Sequence, residues 1–345
     1  MKRLLFAGLL FLAACGSSEV TTTPPPPNPL YVSPSGSDNN EGTFDAPLRS
    51  ISRAVQIAHD DYEILVAPGN YADGINTDRL GEPAERLRIF ADPTGDRTGA
   101  DPGEVRIAVG GRVAEGISLS NSPGTIIDGF SVSGATGAGI VVKAGSHGVT
   151  VRNCIVFRND VEGILIQDSN DVTLLNNLVY ENDGTGIVVA GRGSGSRAAR
   201  LVNNTIARNG SRESTRGITI GNTVAASQAA YLRNNILFQN GDGSTVQLRV
   251  LTEPRSELGF DGDFNLVFPG TYDPESAAGV NDVVGNPRFD APDAADYHLL
   301  LTSPAIDNGD DGIPPALANI VRNRTATIDG EPDEGTLDIG FHYRQ

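Results

Sequence analysis

Val172-Thr173-Leu174-Leu175-Asn176-Asn177-Leu178-Val179-Tyr180-Glu181-Asn182 (VTLLNNLVYEN) is one of four copies of a single pattern, and its reading decides the fold. The others run from Val149 to Asn159 (VTVRNCIVFRN), Ala199 to Asn209 (ARLVNNTIARN) and Ala230 to Asn240 (AYLRNNILFQN). A weaker copy, with Asp128-Gly129 in the asparagine slot, precedes them. The first asparagines are Asn153, Asn176, Asn203 and Asn234, so the periods are 23, 27 and 31 residues. After each copy come a short loop and a glycine-led strand: GIVV from Gly139, GILI from Gly163, GIVV from Gly186 and GITI from Gly217.

A recurring period of this length marks a stacked repeat architecture. Each copy offers three short β-prone runs and no helical period, so one turn reads as strand, turn, strand, Asn-Asn corner, strand, turn. Such a unit cannot bury a core alone, but stacked turns share one, with neighbouring strands about 4.8 Å apart. Alternation within the glycine-led strands predicts two inward columns, Ile140, Ile164, Ile187, Ile218 and Val142, Ile166, Val189, Ile220. The uneven periods place the length changes in loops, where insertions are tolerated. The fold class is therefore all-β, a solenoid.

These residues resemble the right-handed parallel β-helix proteins of the pectate-lyase-like superfamily. The resemblance implies a single-stranded right-handed parallel β-helix, with Asn153, Asn176, Asn203 and Asn234 as the family's internal asparagine ladder. It covers most of the chain beyond Pro29. It is specific for fold and weak for activity, because lyases, hydrolases, epimerases and non-catalytic binders share this coil.

Composition fits a long coil of short strands: 345 residues, 41 glycines, 21 prolines and no tryptophan. Net charge is −17, and loss of the first fourteen residues, which carry Lys2 and Arg3 and no acid, takes it to −19. Such a surface repels nucleic acid and anionic membrane, so no nucleic-acid partner is expected. A polyanionic substrate needs a bridging cation or a local basic patch.

Residues 1–14 read as a signal peptide: Lys2-Arg3, an apolar run from Leu4 to Leu12, then Leu12-Ala13-Ala14-Cys15. That end resembles the bacterial lipobox, which implies lipidation of Cys15. The alternative is an ordinary signal peptide with an incidental cysteine. Gly16 after the cysteine fits sorting to the outer membrane, by resemblance, so the protein is expected at the cell envelope or cell surface. Residues 15–29 form the lipidated cysteine and a Pro-rich tether (TTTPPPPNP, Thr21 to Pro29), an extended semi-rigid spacer. Cys154 is the one other cysteine. Its place in a repeat column favours packing over a reactive thiol.

Residues 30–285 are assigned to the β-helix with its N-terminal cap. Asp45 reads as the N-cap of a helix over 46–59, with Leu48, Ile51, Val55 and Ala58 at helical spacing. The opening resembles the start of family 9 pectate lyases, where the helix plugs the open end of the coil and shields its edge. The Asp-rich loop from Asp92 to Asp101 lacks EF-hand spacing and reads as a solvated turn. Residues 286–345 resemble the C-terminal segment of secreted bacterial β-helix proteins, which implies an irregular cap on the other end. Its acids (Asp307, Asp310, Asp311, Asp329, Asp333) read first as loop residues. A monomer is expected.

The loop before each glycine-led strand is the candidate site. Stacking aligns Asp160 with Asp183, and two carboxylates that close invite a cation or a raised pKa. Asp160, Glu162 and Asp183 are thus the candidate metal ligands. Calcium is the cofactor the resemblance implies. In family lyases a calcium ion on this face neutralises the uronate carboxylate, and a Lys or Arg removes the adjacent proton. Lys143, the single lysine beyond Lys2, is the candidate base, with Arg216, Arg158 or Arg192 as substitutes. Asn159, Gln167, Asn182 and Arg192 are the candidate substrate contacts. The chain departs from the family's N-S-D-D-G-Y-D-L pattern: Glu162 keeps one acid, Val161 replaces another and Leu165 the last. The hydrolase motifs Asn-Thr-Asp and Gly-His-Gly have no equivalent, and His147 reads as a turn residue. Two functions follow. One is a surface-anchored lipoprotein that binds a polysaccharide without catalysis. The other is a calcium-assisted polysaccharide lyase acting on uronate glycans such as pectate or alginate. The sequence offers no long row of outward aromatics for sugar stacking.

Overall fold

The computed structural model describes residues 28–78, 85–143, 145–190, 199–211, 215–221, 230–241, 246–251, 260–273 and 275–344. The expected signal peptide, Cys15 and most of the tether lie outside them, as does Arg192.

The described chain is a parallel β-solenoid. Three long sheets of nine, eight and nine strands run the length of the coil, and strands three apart in sequence pair with one another. The first sheet holds Thr150–Arg152, Val172–Leu175, Ala199–Val202 and Ala230–Arg233, in register from turn to turn. The second holds the glycine-led strands, Ile140–Val142, Ile164–Gln167, Ile187–Ala190 and Ile218–Ile220. The third holds Ile155–Phe157, Leu178–Tyr180, Thr205–Ala207 and Ile236–Phe238. Both inward columns predicted for the second sheet are buried in the single core that fills the coil. Alternation accounts for this: residues two apart share a face, and that face is the core.

The expected asparagine column is linked in part, Asn176 Nδ2 donating to Asn153 Oδ1 at 2.9 Å and Asn234 Nδ2 to Asn203 Oδ1 at 3.4 Å, but the continuous ladder inside the coil lies one residue later. Asn153, Asn176, Asn203 and Asn234 have φ between 51° and 59°, the left-handed region that asparagine tolerates. That twist breaks the strand alternation and turns their side chains out of the coil. The residues that follow turn in. Asn177 Nδ2 donates to Asn204 Oδ1, Asn204 to Asn235 and Asn235 to Asn265, each at 2.9 Å, and all four are buried. Cys154 ends this ladder, its amide donating to Asn177 Oδ1 at 3.0 Å. Burial pushes the Cys154 thiol up to about 12, so it is an inert packing group. A second ladder lines the opposite corner, from Asn159 through Asn182, Asn209 and Asn240 to Gln247, at 2.8 to 3.0 Å. Both ladders satisfy buried main-chain groups that a short β-turn leaves unpaired.

The N-terminal helix α1 is shorter than its periodicity suggests, Ile51–Ile57, with Ser50 as the N-cap. Leu48 is drawn instead into a parallel bridge with Val32, and Asp38 accepts from the amides of Arg49 and Ser50. Asp92 is not a solvated loop residue. It is buried, and its carboxylate gathers the amides of Arg97 and Thr98 at 2.9 and 2.8 Å, closing the 92–101 loop on itself.

The C-terminal segment does not simply cap the far end. It runs back along the side of the coil. Phe289, Tyr297, Leu299, Ala305, Ile339 and Phe341 cover the outer face of the third sheet, where Phe157, Leu178, Tyr180, Ile236 and Phe238 form an apolar row. Phe157 and Tyr180 stack at 5.1 Å. The outward aromatics thus exist, but protein covers them. Helix α2 (Pro315–Arg322) closes over Leu175 and Val202 with Ala318 and Val321. The outward-turned asparagines hold the last strand of chain in place: Asn203 Nδ2 donates to Asp338 O, Asn176 Nδ2 to His342 O, and Asn234 O accepts from Gly340. The tail therefore climbs the coil from the Asn234 turn towards Asn153.

Candidate functional site

The outer face of the second sheet, predicted to carry the chemistry, is a smooth strip. Its central column reads Ser118, Val141, Leu165, Val188, Thr219 and Arg249, short or apolar side chains apart from the last. Lys143 follows the strand Ile140–Val142, and its Nζ lies 3.3 Å from Glu115 Oε1. That contact directs the amine at Glu115. Arg216 lies half-buried, its amide donating to Thr185 Oγ1 and its guanidinium folded back onto the Thr215 carbonyl. Gln167 is exposed at the end of its strand.

The expected substrate contacts Asn159 and Asn182 are not available to a ligand. Both are buried members of the second ladder, with their amides spent on each other, on Asn209 and on main-chain carbonyls. They point inward because their carbonyl-to-amide chain closes the corner before each glycine. That corner has no room to spare: a Cβ on Gly139 or Gly163 falls within 3 Å of a ladder amide.

Asp160 and Asp183 occupy equivalent positions in successive turns, their amides donating to Ala135 O and Asn159 O, and both are exposed. Glu162 and Arg216 share the neighbouring column, since their carbonyls accept from Gly139 and Gly186. Asp160, Glu162 and Asp183 do not gather into a metal centre. Among the described residues only Asp333, Asp338 and His342 bring three ligand atoms within 4.8 Å of one another. The three acids predicted to hold calcium therefore do not fit the ion, which needs six or more oxygens around one point. His147 is a turn residue, its Nδ1 accepting from the Asn170 amide at 3.3 Å.

The Asp333, Asp338 and His342 group is buried in the tail. His342 Nδ1 faces the Gly340 carbonyl at 2.9 Å and so must carry a proton. Its Nε2 lies 2.8 Å from Asp333 Oδ2, a contact that needs one shared proton, and the same oxygen accepts from the Asp338 amide. Asp338 Oδ1 accepts from the Asp307 amide at 2.8 Å. Burial pushes the Asp338 carboxyl up to about 6, against the pull of that amide, and the neighbouring Asp333 raises it further. The sequence pattern missed this cluster because its members are loop residues with no shared period.

A concavity lies elsewhere, between the first-sheet corner of the coil and the C-terminal segment. It has a volume of about 740 Å³. Phe90, Arg97, Glu104, Asp128 and Arg152 line the coil side, and Asn323, Arg324, Tyr343 and Arg344 the other. Arg152 Nε lies 2.7 Å from Asp128 Oδ2, and Asn153 Nδ2 donates to Asp128 Oδ1 at 2.7 Å. Arg97 pairs with Glu63, and the guanidiniums of Arg97 and Arg152 lie 5.7 and 5.9 Å from the Phe90 ring.

Comparison with known proteins agrees with this architecture. Residues 30–199 match the family model described as Pel9A-like, right-handed β-helix region. No curated protein matches the chain. Among solved structures, the GH136 lacto-N-biosidase from Eubacterium ramulus aligns with a TM-score of 0.48 at 12% identity, over 70% of this chain and 56% of that one. The periplasmic alginate epimerase AlgG gives 0.40 at 14%, over 63% and 49%. Pectate lyase Pel9A gives 0.38 at 14%, over 92% and 97%. The chain thus spans about half the length of the first two. Residues 30–199 match a Pel9A-like right-handed β-helix region, and the described chain as a whole is a parallel β-solenoid.

Proposed function

We propose that this protein binds a polysaccharide and does not cleave it, and that it does so at the cell envelope, anchored through a lipid on Cys15. The Pel9A-like coil supports a glycan as the ligand. One observation supports the reading without catalysis: among the described residues, which leave out Arg192, those suited to β-elimination do not assemble. Lys143 is tied to Glu115, and Asp160, Glu162 and Asp183 do not converge. The signal-like start and the Leu12-Ala13-Ala14-Cys15 sequence support the anchor.

The test pairs an ultraviolet assay for unsaturated uronate ends with a glycan array. Protein lacking the first fifteen residues is offered pectate, alginate and glycosaminoglycans, with calcium and with chelator. The expected result is array binding without product. Calcium-dependent absorbance that vanishes in Lys143→Ala would replace this reading with the lyase. For the anchor, wild-type chain should partition into detergent and Cys15→Ser into the aqueous phase; equal partitioning would remove it.

A further inference from the structure

The groove between coil and tail gathers positive charge on an acidic chain. The chain carries a net charge of −17, yet four arginines, Arg97, Arg152, Arg324 and Arg344, line this one concavity against three acids, Asp92, Glu104 and Asp128. Two of those acids are already committed. Asp92 is consumed by the 92–101 loop, and both oxygens of Asp128 are taken by Arg152 and Asn153. Glu63 takes Arg97. Arg324 is different. Its main chain is fully engaged, its amide on Val321 O and its carbonyl on the Asp333 amide, but its guanidinium has no hydrogen bond or ion pair among the described residues.

Half-burial of a guanidinium with no hydrogen-bonded counter-ion carries a desolvation penalty, although its nitrogens keep access to water. Burial holds the Arg324 pKa below its ordinary value; Asp128 works against this, while Arg344 and Arg152 add to it. An anion placed among Arg324, Arg152 and Arg344 removes that penalty. A planar carboxylate suits the fork of a guanidinium, accepting two parallel bonds. Phe90 lies on one wall with Arg97 and Arg152 over its ring, and Tyr343 on the other is stacked on His298 at 3.6 Å, so recognition in this groove is ionic. Both walls are needed. One comes from turns early in the coil and the other from the last residues of the chain, an arrangement typical of ligand clefts.

We propose that this groove binds the carboxylate of an acidic sugar unit, with Arg324 as its principal partner and Arg344 and Arg152 beside it. The sugar rests on the glycan reading above; the position, at the corner between the first and third sheets, is independent of the second-sheet face on which that reading began. It also resolves how so acidic a chain holds a polyanion: the basic patch is built by folding the tail onto the coil.

The experiment is calorimetric titration of the chain lacking its first fifteen residues with four-unit oligomers of galacturonate, mannuronate and glucuronate, and with the carboxyl-reduced form of each. At least one acidic oligomer should bind, more weakly as salt is added, and its reduced form should not. Arg324→Gln should raise that Kd about tenfold or more, the loss of a charged hydrogen-bonding partner, and the exposed Arg344→Ser by a smaller factor. Circular dichroism and the melting temperature establish that both variants fold, and Arg344→Ser keeps the test alive if Arg324→Gln does not. Unchanged affinity in both variants, or equal binding of the reduced oligomer, overturns the groove while leaving the glycan reading standing. No binding to these oligomers or to any glycan on the array overturns both.

Discussion

Two asparagine columns run side by side along one corner of the coil, one residue apart, and do opposite work. Asn177, Asn204 and Asn235 face inward, fully buried, each amide bound to the next. Asn176, Asn203 and Asn234 face outward and hold the C-terminal tail. The chemistry of the side chains is identical. Backbone conformation alone separates them, because the first of each pair sits near φ 55° and rotates its Cβ away from the core. The lesson is that in a tight corner the residue type names the device, while the dihedral decides whether it builds the coil or docks something on it.

The comparison breaks most visibly from the inside. Asn204→Leu removes the acceptor for the Asn177 amide and Nδ2 and the donor to Leu174 O, Val202 O and Asn235 Oδ1. Stranded polar groups in a core cost about 1–3 kcal/mol each, so a loss of about 3–5 kcal/mol is expected in urea unfolding. A loss below about 1 kcal/mol would mean that the ladder is ornamental.

On the outward side, the largest effect is pH-dependent. Asp338, whose carbonyl meets Asn203, has its carboxyl raised from 3.8 to about 6 in the fold. The folded state therefore prefers the protonated acid. The stability this contributes is complete below about pH 4 and lost as pH rises through about 6, with the difference of two pKa units worth about 3 kcal/mol. Asp338→Asn should leave the melting temperature unchanged at pH 4 and raise it at pH 7.5. An identical pH profile in wild type and variant would refute the assignment.

Much of the coil was legible because its physics is periodic. Ile140, Ile164, Ile187 and Ile218 repeat, and alternation inside four-residue strands fixes their face. The offset of the ladder was not legible, since the sign of φ at Asn176 leaves no trace in residue type. The covered side of the coil did leave a trace. The last residue of each first-sheet strand reads Arg152, Leu175, Val202, Arg233, and two apolar residues on an outward column need a cover, which α2 supplies. Likewise LVY and ILF are apolar on both faces, the mark of a strand buried on both sides. The candidate site was the least legible. Asp160 and Asp183 stack as read, but stacking exposed acids does not bring a third ligand, and Arg324 belongs to no repeat at all.

The outward column can be separated into its two contributions. Asn176→Ala removes the bonds to His342 and to Asn153 and also places alanine at φ 54°. Asn176→Gly removes the bonds alone. The expected losses are about 2 and about 1 kcal/mol, and tail cleavage by protease should quicken in both. Equal losses would mean that the dihedral carries no strain, and tail protection unchanged in both would mean that the aromatic cover, not the asparagine column, holds the segment down.

The smallest expected effect concerns the face that first drew notice. The Lys143 and Glu115 pair is partly exposed, with the lysine side chain 37% accessible, so Lys143→Ala should shift stability by less than about 1 kcal/mol. It should also leave binding of an acidic oligosaccharide unchanged, since the lysine lies on the second sheet and the arginine groove on the far corner. If Lys143→Ala instead weakens binding as much as Arg324→Gln, the ligand spans both faces of the coil. The tail would then organise one end of a longer track rather than a separate site.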